Sequence, residues 1–410
     1  MSQASLDKLM TVAEAIGRID RTPVPQRTER LSLPDARGRT LAQEIRADRD
    51  APPFDRSLMD GFAVHIADVS QPPVELRLAG EIPAGRAAER ALQPGEAMKI
   101  MTGAPLPPGA DGVVPVEEVE GGSFNTSGAV RILRAPDPRR YISRRGSDCR
   151  AGEVVLSRGT RLTPAAIGVA ASVGAAEVSV FARPSVSILT TGDEIVGIGQ
   201  TPTGAQIRNS NGAMLVALCE SMGCRIDHIA HASDDPRAIR DALDRSADSD
   251  IVFVTGGMSM GEFDYVPGVL RDAGFAMHIA KLRIKPGKPF VFATRGDDAA
   301  TMKYVFGLPG NPVSGFVCTV RLASRLIRRM QGLSPEPAWR SGRIESPVGA
   351  NGGREFYQPV RMEDDRIIPL GWKGSADVYT LARASGLLIR EANAPELPAG
   401  SIVRVMEVPS

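Results

Sequence analysis

The chain has 410 residues, 42% hydrophobic and 24% charged, with a formal net charge of +1. That is the composition of a soluble globular protein, long enough for roughly two to four domains. The near-zero charge offers no basic footprint for nucleic acid, no apolar run approaches the ~18–20 residues of a membrane-spanning helix, and the N-terminus lacks a signal-peptide pattern, so a cytoplasmic protein with no membrane or nucleic-acid partner is expected.

In chain order, Leu6, Leu9, Met10, Ala13 and Ile16 recur at helical spacing and predict an opening amphipathic helix. From about Arg21 to Gly159 the sequence is Pro- and Gly-rich, with short apolar runs at VELRLAG, EAMKIMTG, GVVPVEEV and AVRILRA. These predict short strands separated by turns, without a second helix. LTPAAIGVAASVG then predicts a helix, with Thr163 as N-cap, Pro164 at the first helical position and Gly174 as terminator. Beyond it strands and helices alternate. VSILTTG, RIDHIAH, DIVFVTGG, AMHIAKL, PFVFAT and KYVFGLPG predict strands. SNGAMLVALCESMG, DDPRAIRDALDRSA, FDYVPGVLRDAG and PVSGFVCTVRLASRLIRRM predict helices. Such alternation, with strands this apolar, predicts a mostly parallel sheet covered by helices on both faces. From Gln331 to Ser410 the helices cease, and REFYQPVRM, RIIPL, GLLIREA and SIVRVMEV predict a small β domain.

The expected fold class is therefore multidomain α/β plus β. A helix and β-rich region spans 1–182 and contains a small inserted β domain at about 54–144. A three-layer α/β/α unit spans 183–330, and a barrel-like β domain spans 331–410. Four scattered cysteines without a CxxC predict reduced, buried thiols. His228 and His231, three apart on a strand, face opposite sides, which argues against a shared metal.

In an open parallel sheet, ligands bind beyond the carboxyl ends of the strands. Three predicted strand ends carry glycines with polar groups: Gly192-Asp193-Glu194; Gly256-Gly257 followed by Ser259 and Asp264; and LPGNPVSG, with Pro309, Gly310, Asn311 and Ser314. Each alone fits an ordinary turn and helix cap, with Asn311 as the N-cap of the last. Together, at one sheet edge, they predict a site whose backbone N–H groups suit phosphate. KLRIKPGKPF adds Lys281, Arg283 and Lys285, which share one face of a strand, and Lys288. A second basic cluster places Arg139, Arg140, Arg144, Arg145 and Arg150 around Asp148. RSLMDGFAV and IMTGAPLPPGAD put Asp60 and Thr102 beside glycines, a pattern also common in β-turns. HExxH, Walker A and GxGxxG patterns are absent, and none of the four histidines lies in a strand-end loop. Carboxylates, lysines and backbone amides remain, a set suited to metal-assisted chemistry on phosphates or oxyanions.

SLMDGFA, IMTGAPLPPGAD, TTGDEI, IRNSN, VTGGMSMGEFDY, IKPGKP, GLPGNPVS and GSADVYTLARASGL occur in that order. Together, over nearly the whole chain, they resemble the molybdopterin molybdenumtransferase (MoeA) family, which includes the gephyrin E domain. The resemblance implies a homodimer with its active site in a cleft at the dimer interface. It implies a reaction of adenylylated molybdopterin with molybdate, dependent on Mg²⁺, that yields molybdenum cofactor and AMP. By motif match it implies catalytic roles for Asp60, Thr102, Glu194, Asp264, Lys281 and Lys285, with Glu194 and Asp264 toward Mg²⁺. Asp148, Arg354 and Ser375 are carried over as substrate-binding residues. With the strand-end loops, the expected substrate contacts also include Gly192, Asp193, Ser210, Gly256, Gly257, Ser259, Lys288, Pro309, Gly310, Asn311 and Ser314. Either Asp234 or Asp235 matches a further family aspartate. Phe62, Met258 and Met260 depart from the family pattern in packing and leave the charges unchanged. Partners implied are the adenylyltransferase and apo-molybdoenzymes. Two rival readings are a molybdopterin adenylyltransferase, which would need only about Arg183 to Gly332, and a gephyrin-like scaffold. The N-terminal arm and C-terminal β domain count against the first, and the retained carboxylates against the second.

Overall fold

The structure, a computed structural model, describes residues 9–124, 128–137, 140–258 and 265–409. Of the residues singled out above, Leu6, Arg139, Ser259, Met260 and Asp264 lie outside the described residues. The chain divides into two compact units, Arg30–Val180 and a second made of Met1–Glu29 with Phe181–Ser410.

The first unit is β-rich. Its five-stranded sheet runs in the order Gly112–Pro115, Gly61–Val64, Glu96–Ile100, Val74–Ile82, Ala129–Ile132. Phe62, Leu76, Val114 and Ile132 fill one face and Ile82, Met98, Ile100 and Val113 the other, so the first three strands in that order are buried on both sides. The helix Pro164–Ser172 begins where the sequence predicts, with Thr163 Oγ1 accepting from the Ala166 N–H, and its buried side packs with Leu41, Leu162 and Val180.

The second unit opens with α1 (Val12–Arg21). This helix starts later than the apolar spacing predicts, because Thr11 and Glu14 form a reciprocal capping box and Met10 bridges Leu282 instead. Its buried face is Val12, Ala15 and Ile19, not Leu9 and Ala13. The central elements are β1 (Ser185–Thr191), α2 (Ser210–Ser221), β2 (Arg225–Ala232), α3 (Pro236–Arg245), β3 (Ile251–Thr255), α4 (Val266–Asp272), β4 (Ala276–Lys281), β5 (Ile284–Lys285), β6 (Pro289–Arg295) and β7 (Lys303–Leu308). Six of them make one sheet in the order β2-β1-β3-β7-β6-β4. The first four strands in that order are parallel, and β6 runs antiparallel to both its neighbours.

Strand periodicity assigns the two faces. Ile188, Phe253 and Phe306 point to α1 and α2, while Leu189, Val254 and Val305 point to α3 and α4. On the first face Phe306 stacks on Phe253 and Phe292, with ring centroids 5.5 and 5.0 Å apart. This is the expected three-layer α/β/α arrangement.

The basic segment departs from the single strand expected. β4 ends at Lys281, buried Leu282 pairs with Met10, and β5 joins a different sheet. The long predicted helix is three consecutive helical segments, α5 (Pro312–Cys318), a π-turn at Thr319–Ala323 and α6 (Ser324–Met330). Thr319 and Ser324 hydroxyls donate to carbonyls four residues back, at 2.8 and 2.6 Å, inside the altered turn.

The tail forms β8 (Trp339–Ile344), β9 (Glu355–Glu363), β10 (Arg366–Pro369), β11 (Gly386–Arg390) and β12 (Ile402–Glu407). The order β9-β10-β8-β12-β11 closes through β9–β11 pairing, and β5 pairs parallel with the start of β9. The tail is not free of helix, because Val378–Leu381 makes one turn capped by Asp377.

Candidate functional site

Two adjoining cavities lie at the carboxyl edge of the central sheet. The first, of about 570 Å³, is lined by Thr190–Gly192 and Glu194 at the end of β1, Thr255–Met258 at the end of β3, Pro309–Asn311 after β7, Arg208–Asn211 at the start of α2, and Asp234. Two of its glycines are there for close approach. Gly192 has φ +136, and a Cβ on it would clash with the Glu194 carboxyl group, 2.9 Å from its Cδ. Gly256 has φ +98, and a Cβ on it would sit 2.7 Å from Thr191 Oγ1 and closer still to the Thr191 carbonyl oxygen. Glycine thus lets the end of β3 fold against β1 and lets Glu194 lie back over its own loop.

The α2 entry organises the floor. Asn209 Oδ1 accepts from the Gly212 N–H at 2.9 Å, while its Nδ2 donates to Thr190 Oγ1 at 2.9 Å. Thr190 Oγ1 also lies 3.1 Å from His231 Nδ1, so one histidine does support the cavity from behind. Asn211 Nδ2 donates to the Gly310 carbonyl at 2.6 Å and to Thr255 Oγ1 at 3.3 Å. Among the described residues, that leaves Asn211 Oδ1 and Thr191 Oγ1 buried without a hydrogen-bond partner. Buried polar atoms left unmade cost about 1–3 kcal/mol each, so this wall is set up for polar ligand groups or water.

The aspartate pair separates by role. Asp235 caps α3 by accepting from the Ala238 N–H at 2.9 Å, whereas Asp234 lines the cavity. Asp193 braces the same loops without lining either cavity: the Asp234 N–H donates to Asp193 Oδ1 at 3.2 Å and the Asp193 N–H to Asp234 Oδ2 at 3.4 Å.

The second cavity, of about 440 Å³, is lined by Lys285, Lys288, Arg354 and Lys373 with Ser314, Ser375, Trp372 and Pro286–Gly287. Among the described residues, no carboxylate lines it. Pro289, Pro309 and Asn311 line both cavities and form their common wall. Asn311 holds the N-cap position of α5 but makes no capping hydrogen bond through its side chain, unlike the cap expected of it. Ser375 is fixed by the Val313 N–H, which donates to its carbonyl at 3.0 Å. Lys281 lines neither cavity, because its strand ends before the chain crosses into the barrel.

In the Arg30–Val180 unit, Asp60 Oδ1 accepts from both the Thr102 N–H and the Thr102 hydroxyl, each at 2.7 Å. These two bonds hold the Asp60 carboxyl below its ordinary pKa. Asp148 meets Arg56 at 3.5 Å. Arg144 and Arg145 are spent on Asp55 and Asp50, at 2.6 and 2.7 Å, so the basic cluster is largely a set of surface ion pairs.

Sequence reasoning overlooked Asn211, Thr191, Lys373 and Trp372 as lining residues. The first two sit inside motifs already singled out. The others lie in a loop with no periodicity of its own.

Three family profiles match the chain in order: MoeA N-terminal region (domain I and II) over residues 10–174, probable molybdopterin binding domain over 187–329, and MoeA C-terminal region (domain IV) over 341–408. The molybdopterin molybdenumtransferase of Haemophilus influenzae is 31% identical over 97% of this chain and 98% of its own length. The chain belongs to the MoeA molybdopterin molybdenumtransferase family. A Nostoc sp. member is 33% identical over 94% of this chain and 89% of its own. A molybdopterin biosynthesis MoeA protein from Pyrococcus horikosii superposes with a TM-score of 0.83 at 28% identity, covering 98% of this chain and all of that one. On the MoeA layout, the first cavity falls within the part matched as a molybdopterin binding domain. The cationic cavity draws Arg354 and Lys373–Ser375 from the C-terminal region.

Proposed function

We propose that this MoeA-family protein inserts molybdate into adenylylated molybdopterin, releasing AMP and yielding molybdenum cofactor. One observation carries the reading: a cavity lined, among the described residues, by four cations and no carboxylate shares a wall with the cavity of the molybdopterin-binding part. A tetrahedral dianion is suited to the cationic cavity, through charge-assisted hydrogen bonds from Arg354 and Lys285 and a hydroxyl from Ser375. The pterin and its nucleotide are suited to the first cavity, where Asn211 and Thr191 present unpaired polar atoms and the loops at Gly192, Gly256 and Gly310 present backbone. On this reading the metal oxyanion would lie beside the dithiolene that must receive it, without diffusion between sites.

Glu194 and Asp234 are the described carboxylates of the first cavity and would hold Mg²⁺, with Asp264 as a further candidate. Among the described residues no preformed group of three or more metal-ligating side chains exists. Two carboxylates suit Mg²⁺, which usually takes one or two together with substrate phosphates. When bound, the ion supplies charge neutralisation at the phosphoanhydride. The lysines and Arg354 then offset the charge of the incoming oxyanion and of the phosphates.

The family resemblance further supports a homodimer whose cleft carries the Asp60–Thr102 pair of one subunit to the cavities of the partner, and a cytoplasmic place beside the adenylyltransferase and apo-molybdoenzymes. Among the described residues, no helix is long and apolar enough to cross a membrane.

The test is molybdate-dependent AMP release from supplied adenylylated molybdopterin, without ATP. Arg354→Ala and Ser375→Ala should retain the fold and lose most of that release at low molybdate. Release near the wild-type rate in both variants, or an absolute requirement for ATP, would overturn the reading, the latter in favour of an adenylyltransferase.

A further inference from the structure

We infer that Phe356 and Trp372 are positioning residues that hold the Lys285 ammonium ready for the oxyanion while leaving its charge unspent. The inference rests on the proposed function in taking the cationic cavity as the oxyanion site.

The pairing of β5 with β9 puts Lys285 directly beside Phe356. The Lys285 ammonium lies over the Phe356 ring, 4.9 Å from its centroid. That ring in turn stacks on Trp372, 5.7 Å between centroids and 25° between planes. Trp372 and Lys285 line the same cavity. Among the described residues Lys285 makes no ion pair. Arg295 and Arg404 likewise lie over rings, of Phe275 and Trp339, at 4.8 and 4.7 Å, whereas other cations are held by carboxylates. Arg325, for example, is held by Asp20 and Glu336 at 2.6 and 2.8 Å.

The choice of partner has a physical consequence. A carboxylate would hold an ammonium firmly, but it would cancel the charge and repel an anion. An aromatic face attracts the cation through its quadrupole and carries no net charge. Lys285 is thereby restricted in position, at low cost in entropy on binding, and remains fully available to a dianion. Trp372 stacks on the ring, so the ring plane is fixed by stacking, with no polar contact required. Among the described residues, Lys288 and Lys373 line the same cavity without such a support, which sets Lys285 apart from them.

The experiment is calorimetric titration of the full chain with sodium molybdate alone, at low ionic strength. Phe356→Leu keeps apolar bulk and removes the quadrupole. It should weaken molybdate binding about two- to tenfold, and Phe356→Tyr should restore it to near wild type. In a Lys285→Met background, Phe356→Leu should cause no further loss, since the ring acts only through the lysine. Equal weakening by Leu and Tyr, or the same loss with and without Lys285, would mean a merely structural ring and would overturn the inference. If wild type binds molybdate and Arg354→Ala abolishes it while Phe356→Leu changes nothing, the inference fails and the oxyanion reading of the cavity stands. If Arg354→Ala leaves binding unchanged, or wild type binds none, both fail together.

Discussion

Gly256→Ala tests the closeness of the strand ends on which the first cavity depends. The added methyl would occupy backbone at φ +98, a region that L side chains rarely adopt, at a cost of about 1–3 kcal/mol. It would also press on the carbonyl of Thr191 and lie 2.7 Å from its hydroxyl oxygen. The carbonyl is backbone at the end of a central strand and cannot swing aside as a side-chain tip can. Overpacking of this kind adds about 1–3 kcal/mol, giving roughly 2–6 kcal/mol in all. At about 2–4 °C per kcal/mol for a unit of this size, the melting temperature should fall by roughly 5–20 °C. The assay is thermal unfolding followed by circular dichroism, with Gly268→Ala as control. Gly268 lies inside α4, where a Cβ would meet nothing within 4 Å, so its replacement should be neutral or slightly stabilising. AMP release by Gly256→Ala at a temperature where it is folded should also drop, because Thr191 is pushed out of place. A melting temperature within a degree of wild type would refute the reasoning and show that the ends of β1 and β3 do not approach as described.

Thr102→Val should raise the Asp60 pKa toward its ordinary value, since the side-chain hydrogen bond that helps lower it is removed. The sign follows from the depressed folded pKa: the Thr102–Asp60 bonds favour the folded state above the unfolded carboxyl pKa, and that contribution is lost as pH falls through the folded value. Carboxyl-resolved NMR titration reads this directly, and an unchanged Asp60 midpoint would count against the geometry. Asp235→Ala should cost about 1 kcal/mol in urea unfolding through loss of the α3 cap, with little effect on AMP release. Asp234→Asn should do the reverse, and the opposite pattern would exchange the two assignments. Arg325→Ala should destabilise by about 1–3 kcal/mol, because it removes a buried guanidinium whose charged hydrogen bonds to part-exposed Asp20 tie α6 to α1; a loss under about 0.5 kcal/mol would show that solvent screens the pair.

Local features were legible wherever neighbours in sequence decide the structure. The short runs of β-branched and aromatic residues in β1, β3 and β7, each leading into a glycine loop, read as buried strands. Thr163-Pro164 can be recognised as a helix entry because the cap and the fixed φ act within one turn. The register of polar residues after each strand also follows from sequence, because strands in a parallel sheet end at one edge. The exceptions are equally specific. Leu9 and Met10 fit a helical period, yet the capping box at Thr11 starts α1 beyond them. Asp234 and Asp235 are indistinguishable in a string, and only the direction of α3 gives one to the helix and the other to the cavity.

By itself, the sequence determined the class of each layer, the loops that carry polar groups and, through eight motifs in series, the family. Tertiary structure alone decided which of those groups meet. Lys281 and Lys285 look like one face of one strand, but the pairing of Leu282 with Met10 and of β5 with β9 sends them to different sheets. The cationic cavity gathers residues 285–288, 314, 354 and 372–375, which no local pattern links. Periodicity and capping are interactions over a few residues and leave their mark on short stretches. A cavity is made by contacts between segments far apart in the chain, and its charge balance exists only once the barrel has closed beside the sheet.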